Sequence, residues 1–169
     1  MRKLEERKHA LSLRKNLNKK DSSKTVLDYI VDNNVLEEYH NIGIYYPIGE
    51  EIDIMDLVKI YPNKNFYLPI TKDDIFFVKY NQDDVLVDGL FNTKEPIGEI
   101  IERNLIDCFL IPCVAISKDN QRIGYGKGYY DRYLKGYSKT KIGICYEQSG
   151  NIDVDLMDYD LRVDFKILG

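Results

Sequence analysis

The chain has 169 residues, 44% hydrophobic and 31% charged, enough for one domain around a single filled core. The formal net charge is −4, but residues 1–20 hold eight Lys or Arg against two Glu, which leaves the rest at −10 and argues against a broad nucleic-acid surface. No apolar run reaches the roughly 18–20 residues of a membrane-spanning helix, no apolar secretion segment opens the chain, and Cys108, Cys113 and Cys145 lack the spacing of a disulfide framework or a zinc site. The expectation is one domain over 1–169, cytoplasmic, with the cysteines buried as small hydrophobes.

In chain order, the first element is a basic helix on which Lys3, Arg7 and Arg14 fall along one face. Such a helix is a solvated surface element, or else an anion- or nucleic-acid-binding one. Asp21-Ser22-Ser23 offers N-cap chemistry for a second helix with Val26, Tyr29 and Ile30 turned inward. Ile42 to Tyr46 is a short apolar run stopped by Pro47, which predicts a buried strand. A helical stretch with Ile54, Leu57 and Val58 at core spacing follows, then strands over Phe66 to Ile70, Ile75 to Tyr80 and Cys108 to Ile111. Lys141 to Tyr146 and Val163 to Leu168 complete the set. Continuously apolar strands alternating with helices predict an α/β domain whose mixed sheet of about six strands is covered on both faces.

The most informative stretch runs from Arg122 to Leu134: Arg-Ile-Gly-Tyr-Gly-Lys-Gly-Tyr-Tyr-Asp-Arg-Tyr-Leu. Its alternate glycines, Gly124, Gly126 and Gly128, permit positive φ and close approach of backbone to a ligand. A helix starting near Tyr129 would complete an anion-binding concavity, with Lys127 as a mobile cation. The spacing is neither GxxxxGK followed by Ser or Thr nor GxGxxG, which excludes a standard P-loop or dinucleotide site. A ligand-free glycine turn is the alternative. The arginine, the Tyr129-Tyr130 pair and the carboxylate of Asp131 around the glycines point instead to a nucleotide.

The same segment resembles the signature of the 5-formyltetrahydrofolate cyclo-ligases, also called methenyltetrahydrofolate synthetases. Lys3-Leu4-Glu5-Glu6-Arg7 looks like the family's ATP-contacting Lys-x-x-x-Arg segment, and Glu51-Ile52-Asp53 looks like the segment carrying its folate-contacting glutamate. Leu68-Pro69, Glu95-Pro96, Leu110-Ile111-Pro112 and Glu147-Gln148 occur in the family's order, and Asp160 to Asp164 resembles its closing Asp-x-x-x-Asp element. Cys113 stands where glycine is common, Ser117 where aspartate is common and Ile70 where a basic residue is frequent, and there is no tryptophan. These departures touch the folate lining and leave the phosphate elements intact.

The resemblance implies a three-layer α/β/α domain with a mostly parallel sheet, similar to the sugar-phosphate isomerase and CoA-transferase-like folds. It implies ATP-dependent closure of 5-formyltetrahydrofolate to 5,10-methenyltetrahydrofolate through a phosphorylated formyl group, with ADP and phosphate released. ATP contacts would come from Lys3, Leu4, Glu5, Glu6, Arg7, Arg122, Ile123, Gly124, Tyr125, Gly126, Lys127, Gly128, Tyr129 and Tyr130, with Arg7 and Lys127 as the catalytic cations. Folate would meet Tyr46, Glu51, Tyr125, Gly126, Lys127, Gly128 and Tyr129. Asp131 and Asp160 would hold Mg²⁺; their alternatives are a helix-terminal carboxylate for Asp131 and, for Asp160, an acidic surface shared with Asp153, Asp155 and Asp158. The expected partners are the two small-molecule substrates, with no nucleic acid, no membrane and a monomeric chain. A non-catalytic nucleotide- or folate-binding domain on the same fold and a nucleic-acid-binding protein using the basic helix are the rival readings.

Overall fold

The computed structural model describes residues 2–154 and 160–169; Asp155 and Asp158, expected above as part of an acidic surface, lie outside the described residues. Two helices open the chain, α1 (Lys3–Arg14) and α2 (Lys19–Asp32). The second begins earlier than Asp21-Ser22-Ser23 suggested. Asn18 is the N-cap, and its side-chain oxygen accepts from the Asp21 N–H at 3.1 Å, satisfying an orphan donor of the first turn. Ser23 therefore falls inside the helix, where its buried hydroxyl accepts from the Asp53 N–H at 2.8 Å. Val26 and Ile30 are fully buried, whereas Tyr29 is 49% exposed and does not join the inner face.

The strands that follow are β1 (Asn41–Gly43), β2 (Asn65–Thr71), β3 (Ile75–Tyr80), β4 (Val87–Asp88), β5 (Lys94–Glu95) and β6 (Ile100–Ile101). After them come β7 (Cys108–Pro112), β8 (Ala115–Ile116), β9 (Arg122–Ile123), β10 (Thr140–Cys145) and β11 (Phe165–Leu168). Two short helices, α3 (Leu57–Ile60) and α4 (Tyr129–Tyr133), are interspersed. The main sheet has seven strands in the order β11-β10-β7-β1-β2-β3-β6, where about six were expected. The additional strand, β6, is two partly exposed residues at the sheet edge, too short for any hydrophobic period to register.

The five strands β11, β10, β7, β1 and β2 pair in parallel, and β3 and β6 extend the sheet antiparallel. This is the mixed α/β sheet that the apolar runs predicted, and it is mostly parallel as the resemblance implied. Side chains alternate across it. Ile42, Phe66, Leu68, Cys108, Leu110, Ile142 and Ile144 pack on one face with Val26 and Ile30 of α2 and Leu57 and Val58 of α3. Tyr67, Phe109, Ile111 and Cys145 pack on the other with Leu134 and Tyr137. All three cysteines are free and buried, as expected. Among the described residues, no helix is long and apolar enough to cross a membrane.

Beyond the C-terminal ends of β1 and β7, the chain turns into the segments holding Tyr45 to Glu51 and Cys113 to Ile116. Open α/β sheets bind ligands at this edge.

Candidate active site

A cavity of about 870 Å³ opens there. Its walls bring together segments far apart in the chain: Lys3, Leu4 and Arg7 of α1; Tyr45, Tyr46 and Glu51 after β1; the glycine loop with Arg122; and Asp131 and Asp160. Of the expected ATP contacts, Glu5, Glu6 and Ile123 stand outside this lining. Glu5 is exposed near the start of α1, where a carboxylate oxygen lies 3.4 Å from the Arg2 N–H, and Ile123 is fully buried in β9.

Charge-bearing side chains of α1 turn towards the site. Arg7 donates through Nε to the Gly124 carbonyl at 2.6 Å. Lys3 pairs with Asp160, whose residue is only 5% exposed, and Arg14 donates to the Tyr125 hydroxyl. Residues 3, 7 and 14 are thus one stripe of the helix, as their spacing implied.

The loop conformation explains two of its glycines. Gly126 has φ +98° and Gly128 has φ +72°, a region L side chains avoid. At Gly126 a Cβ would also stand 3.3 Å from the Arg7 guanidinium. Helix α4 begins at Tyr129 as expected, but with only five residues its dipole is slight. Side-chain cations therefore dominate the positive field: Lys127 is exposed with Nζ 5.1 Å from the Phe91 ring centre, while Arg122 is 7% exposed. Arg122 donates to the Pro112 carbonyl at 2.8 Å and its guanidinium carbon lies 4.8 Å from the Tyr130 ring centre, which fixes it beneath the loop.

Glu51 is 6% exposed, not the surface residue its composition alone would make it. Its carboxylate accepts from the Ile48 N–H at 2.7 Å. Burial is the main influence on its acidity and lifts it to about 7, against the downward pull of the Ile48 hydrogen bond and of Arg14, Arg122 and Lys19. A carboxyl so poised can accept paired N–H donors from a ligand. Tyr46 lines the cavity beside it.

Asp131 accepts from the Leu161 N–H at 3.2 Å, so its carboxylate is anchored to the residue following Asp160. Two hard carboxylates lining one cavity with the cations Lys3 and Arg7 form a donor set that suits Mg²⁺, which takes one or two protein carboxylates and completes its shell with water and phosphate oxygens. Among the described residues no three or more His, Cys, Asp or Glu gather into a closed metal cage.

The family model described as the 5-formyltetrahydrofolate cyclo-ligase family matches residues 2–160. The chain belongs to that family. A 5-formyltetrahydrofolate cyclo-ligase from Mycoplasma pneumoniae is 38% identical over 127 residues, spanning 71% of this chain and 68% of that protein. One from Haemophilus influenzae is 30% identical, spanning 72% of each. Among solved structures, the 5,10-methenyltetrahydrofolate synthetase of Aquifex aeolicus superposes with TM-score 0.87 at 28% identity, covering 99% of this chain and 90% of that one. The Mycoplasma pneumoniae synthetase superposes with TM-score 0.79 at 31% identity, covering 99% and 98%.

Several lining residues of this cyclo-ligase fold were not singled out in the sequence. Leu90 and Phe91 reach the cavity from the turn between β4 and β5, and Arg132 reaches it from α4. Arg132 donates to the Lys127 carbonyl at 2.9 Å and to Asp74 at 2.8 Å, bracing the loop from its far side. Only the Arg122 to Leu134 run offered a local signal for any of these.

Proposed function

We propose that this chain is a single-domain, monomeric, cytoplasmic enzyme that converts 5-formyltetrahydrofolate and ATP into 5,10-methenyltetrahydrofolate, ADP and phosphate. One observation carries the reading: the cations of α1, the glycine loop and the buried carboxyl of Glu51 meet in one cavity large enough for two ligands to lie side by side. The inward turn of Lys3, Arg7 and Arg14 favours small-molecule substrates over a nucleic-acid surface on α1.

The chemical obstacle is that a formamide oxygen cannot leave as oxide. Transfer of the γ-phosphoryl group to the N5-formyl oxygen breaks the bond to ADP and gives an iminium phosphate. N10 then adds to the formyl carbon, N10 loses its proton, and phosphate departs with the former formyl oxygen. Phosphoryl transfer asks little covalent work of the protein, so positioning and charge stabilisation dominate. Lys127 and Arg7 are the cations assigned to the transferring phosphoryl group, with Lys3, Leu4, Arg122 and the Gly124 to Tyr130 segment holding the nucleotide. Glu51 accepts the pterin's amino and ring N–H groups, and Tyr46 and the loop residues Tyr125 to Tyr129 flank the folate. Mg²⁺, held by Asp131 and Asp160, would offset phosphate charge.

The test is growth of methenyltetrahydrofolate absorbance on mixing the purified chain with 5-formyltetrahydrofolate, ATP and Mg²⁺. Product formation that requires all three is expected. ATP binding without product, beside an active control enzyme, would leave only a nucleotide-binding domain.

A further inference from the structure

Arg14 has no part in the assignments above, yet it is the most deeply buried cation of α1, 6% exposed. Its guanidinium donates to the Tyr125 hydroxyl and lies 5.4 Å from the centre of that ring, inside the glycine loop. Below the main cavity it also lines a small pocket with Glu51, Tyr45 and Tyr146, in which no space remains for a water molecule. A buried arginine costs several kcal/mol of desolvation unless an anion offsets it. Glu51 is the carboxylate that lines this small pocket with Arg14.

We propose that Arg14 is a positioning residue that holds Glu51 in its ionised, pterin-accepting form and ties that charge to the nucleotide loop through Tyr125. The inference rests on the reading of Glu51 as the pterin's partner.

The surroundings of Glu51 show why one cation matters. Facing it are Arg14 from α1, Lys19 from α2, Arg122 from β9, and the phenols and thiol of Tyr45, Tyr125, Tyr130 and Cys113. Lys19 is turned partly away, donating to the Gly49 carbonyl at 3.0 Å. Arg122 is engaged by the Pro112 carbonyl and the Tyr130 ring. Burial lifts both Tyr130 and Cys113, the latter to about 11, so neither carries charge near neutrality. Arg14 stands first among the cations that pull Glu51 down. With it gone, burial acts with less opposition and the carboxyl stays protonated to higher pH. A protonated carboxyl offers fewer acceptor sites to a pair of pterin N–H groups.

The experiment measures KM for 5-formyltetrahydrofolate and for ATP from about pH 6 to 9 in the full chain, in Arg14→Met, Arg14→Lys and Glu51→Gln, and in the Arg14→Met/Glu51→Gln double variant. A shift of one pKa unit corresponds to a tenfold change in the ionised fraction on the acid side. Because Glu51 titrates at about 7 in the parent, Arg14→Met should raise the folate KM roughly fivefold at pH 7, approach tenfold towards pH 6, recover towards the parent value near pH 9, and move the ATP KM much less. Arg14→Lys, which keeps a cation, should hold the pH midpoint near that of the parent. In the Glu51→Gln background the Arg14→Met change should add less than about twofold, because the charge it supports is gone. Should Arg14→Met not fold, Arg14→Gln carries the same measurement.

An unmoved midpoint in a folded Arg14→Met, or additive losses in the double variant, overturns the proposal. A parent chain that makes no methenyl product overturns instead the functional reading on which it rests.

Discussion

The Arg7 side chain donates to the carbonyl of Gly124, 117 residues further along the chain, at 2.6 Å. This bond docks the N-terminal helix on the glycine loop, the two elements proposed to hold the nucleotide. A hydrogen bond to a charged group contributes about 1.5–3 kcal/mol. Arg7→Met should accordingly lower kcat/KM for ATP by roughly 10–150-fold, with far-ultraviolet circular dichroism unchanged. Near-parental kinetics would remove Arg7 from the phosphate site.

Lys127 differs in being exposed, with its ammonium 5.1 Å from the Phe91 ring centre. That exposure suits a group meant to meet charge that develops during transfer. Lys127→Ala is expected to lower kcat by about 10²–10³-fold, the usual cost of deleting one electrostatic stabiliser, while leaving the melting temperature within a degree or so because a surface side chain contributes little to stability. Steady-state kinetics beside a thermal melt checks both halves.

Gly126 and Gly136 separate conformational strain from function. Both hold positive φ, +98° and +79°, but Gly126 lines the cavity against Arg7, whereas a Cβ at Gly136 would meet nothing within 4 Å. Alanine at either position should cost about 1–2 kcal/mol of stability through the left-handed backbone. Only Gly126→Ala should also depress turnover, by displacing the Arg7 guanidinium. Equal activity in the two variants would detach the loop from catalysis.

What the sequence announced and what it hid follow a physical division. Ile75–Tyr80 coincides with its expected span because a run of bulky apolar and aromatic residues, interrupted by Lys79 alone and bounded by polar residues, is a local signal. The glycine loop was legible for a similar reason, since closely spaced glycines are a local signal of backbone that most side chains avoid, here φ +98° at Gly126 and +72° at Gly128. The start of α2 was misplaced because Asn18 and Asp21-Ser22-Ser23 all offer capping chemistry, and only the folded chain shows which of them is used. The depth of Glu51 was not legible from composition, since nothing local says that a glutamate in Gly-Glu-Glu-Ile-Asp is covered; family resemblance alone marked it. The contacts of Arg14 and the arrival of Phe91 at the cavity are long-range, decided by packing and invisible to any window along the chain.

Glu51 also predicts how stability varies with pH. Burial raises its folded-state value from 4.5 to about 7, so the folded chain binds a proton more tightly than the unfolded chain does. The ionised carboxyl therefore opposes folding: the penalty is absent below about pH 4.5, grows as pH rises, and is complete above pH 7, at about 3 kcal/mol. Glu51→Gln, which keeps an acceptor for the Ile48 N–H, should raise the urea midpoint at pH 8 and give progressively less advantage towards pH 5. The same variant should bind 5-formyltetrahydrofolate more weakly, a trade of stability for recognition. A stability gain independent of pH would mean that the carboxyl does not titrate in this range.

The pairing of Lys3 with Asp160 sets the last expectation. In the free chain the ammonium sits on one of the two carboxylates assigned to Mg²⁺, and ATP phosphates would compete for that same ammonium. Nucleotide entry should thus loosen the Lys3–Asp160 pairing, so Mg²⁺ affinity should rise when ATP is present. Asp160→Asn and Asp131→Asn should each raise the Mg²⁺ concentration needed for half-maximal turnover by about tenfold or more, and Mn²⁺ binding followed by electron paramagnetic resonance should weaken in parallel. Asp153→Asn is the control, because that carboxylate is exposed and lies 3.6 Å from Lys118, away from the cavity lining. Unchanged Mg²⁺ dependence in both site variants would leave Asp160 as the structural counter-ion of Lys3 and Asp131 as an anchor for the Leu161 amide.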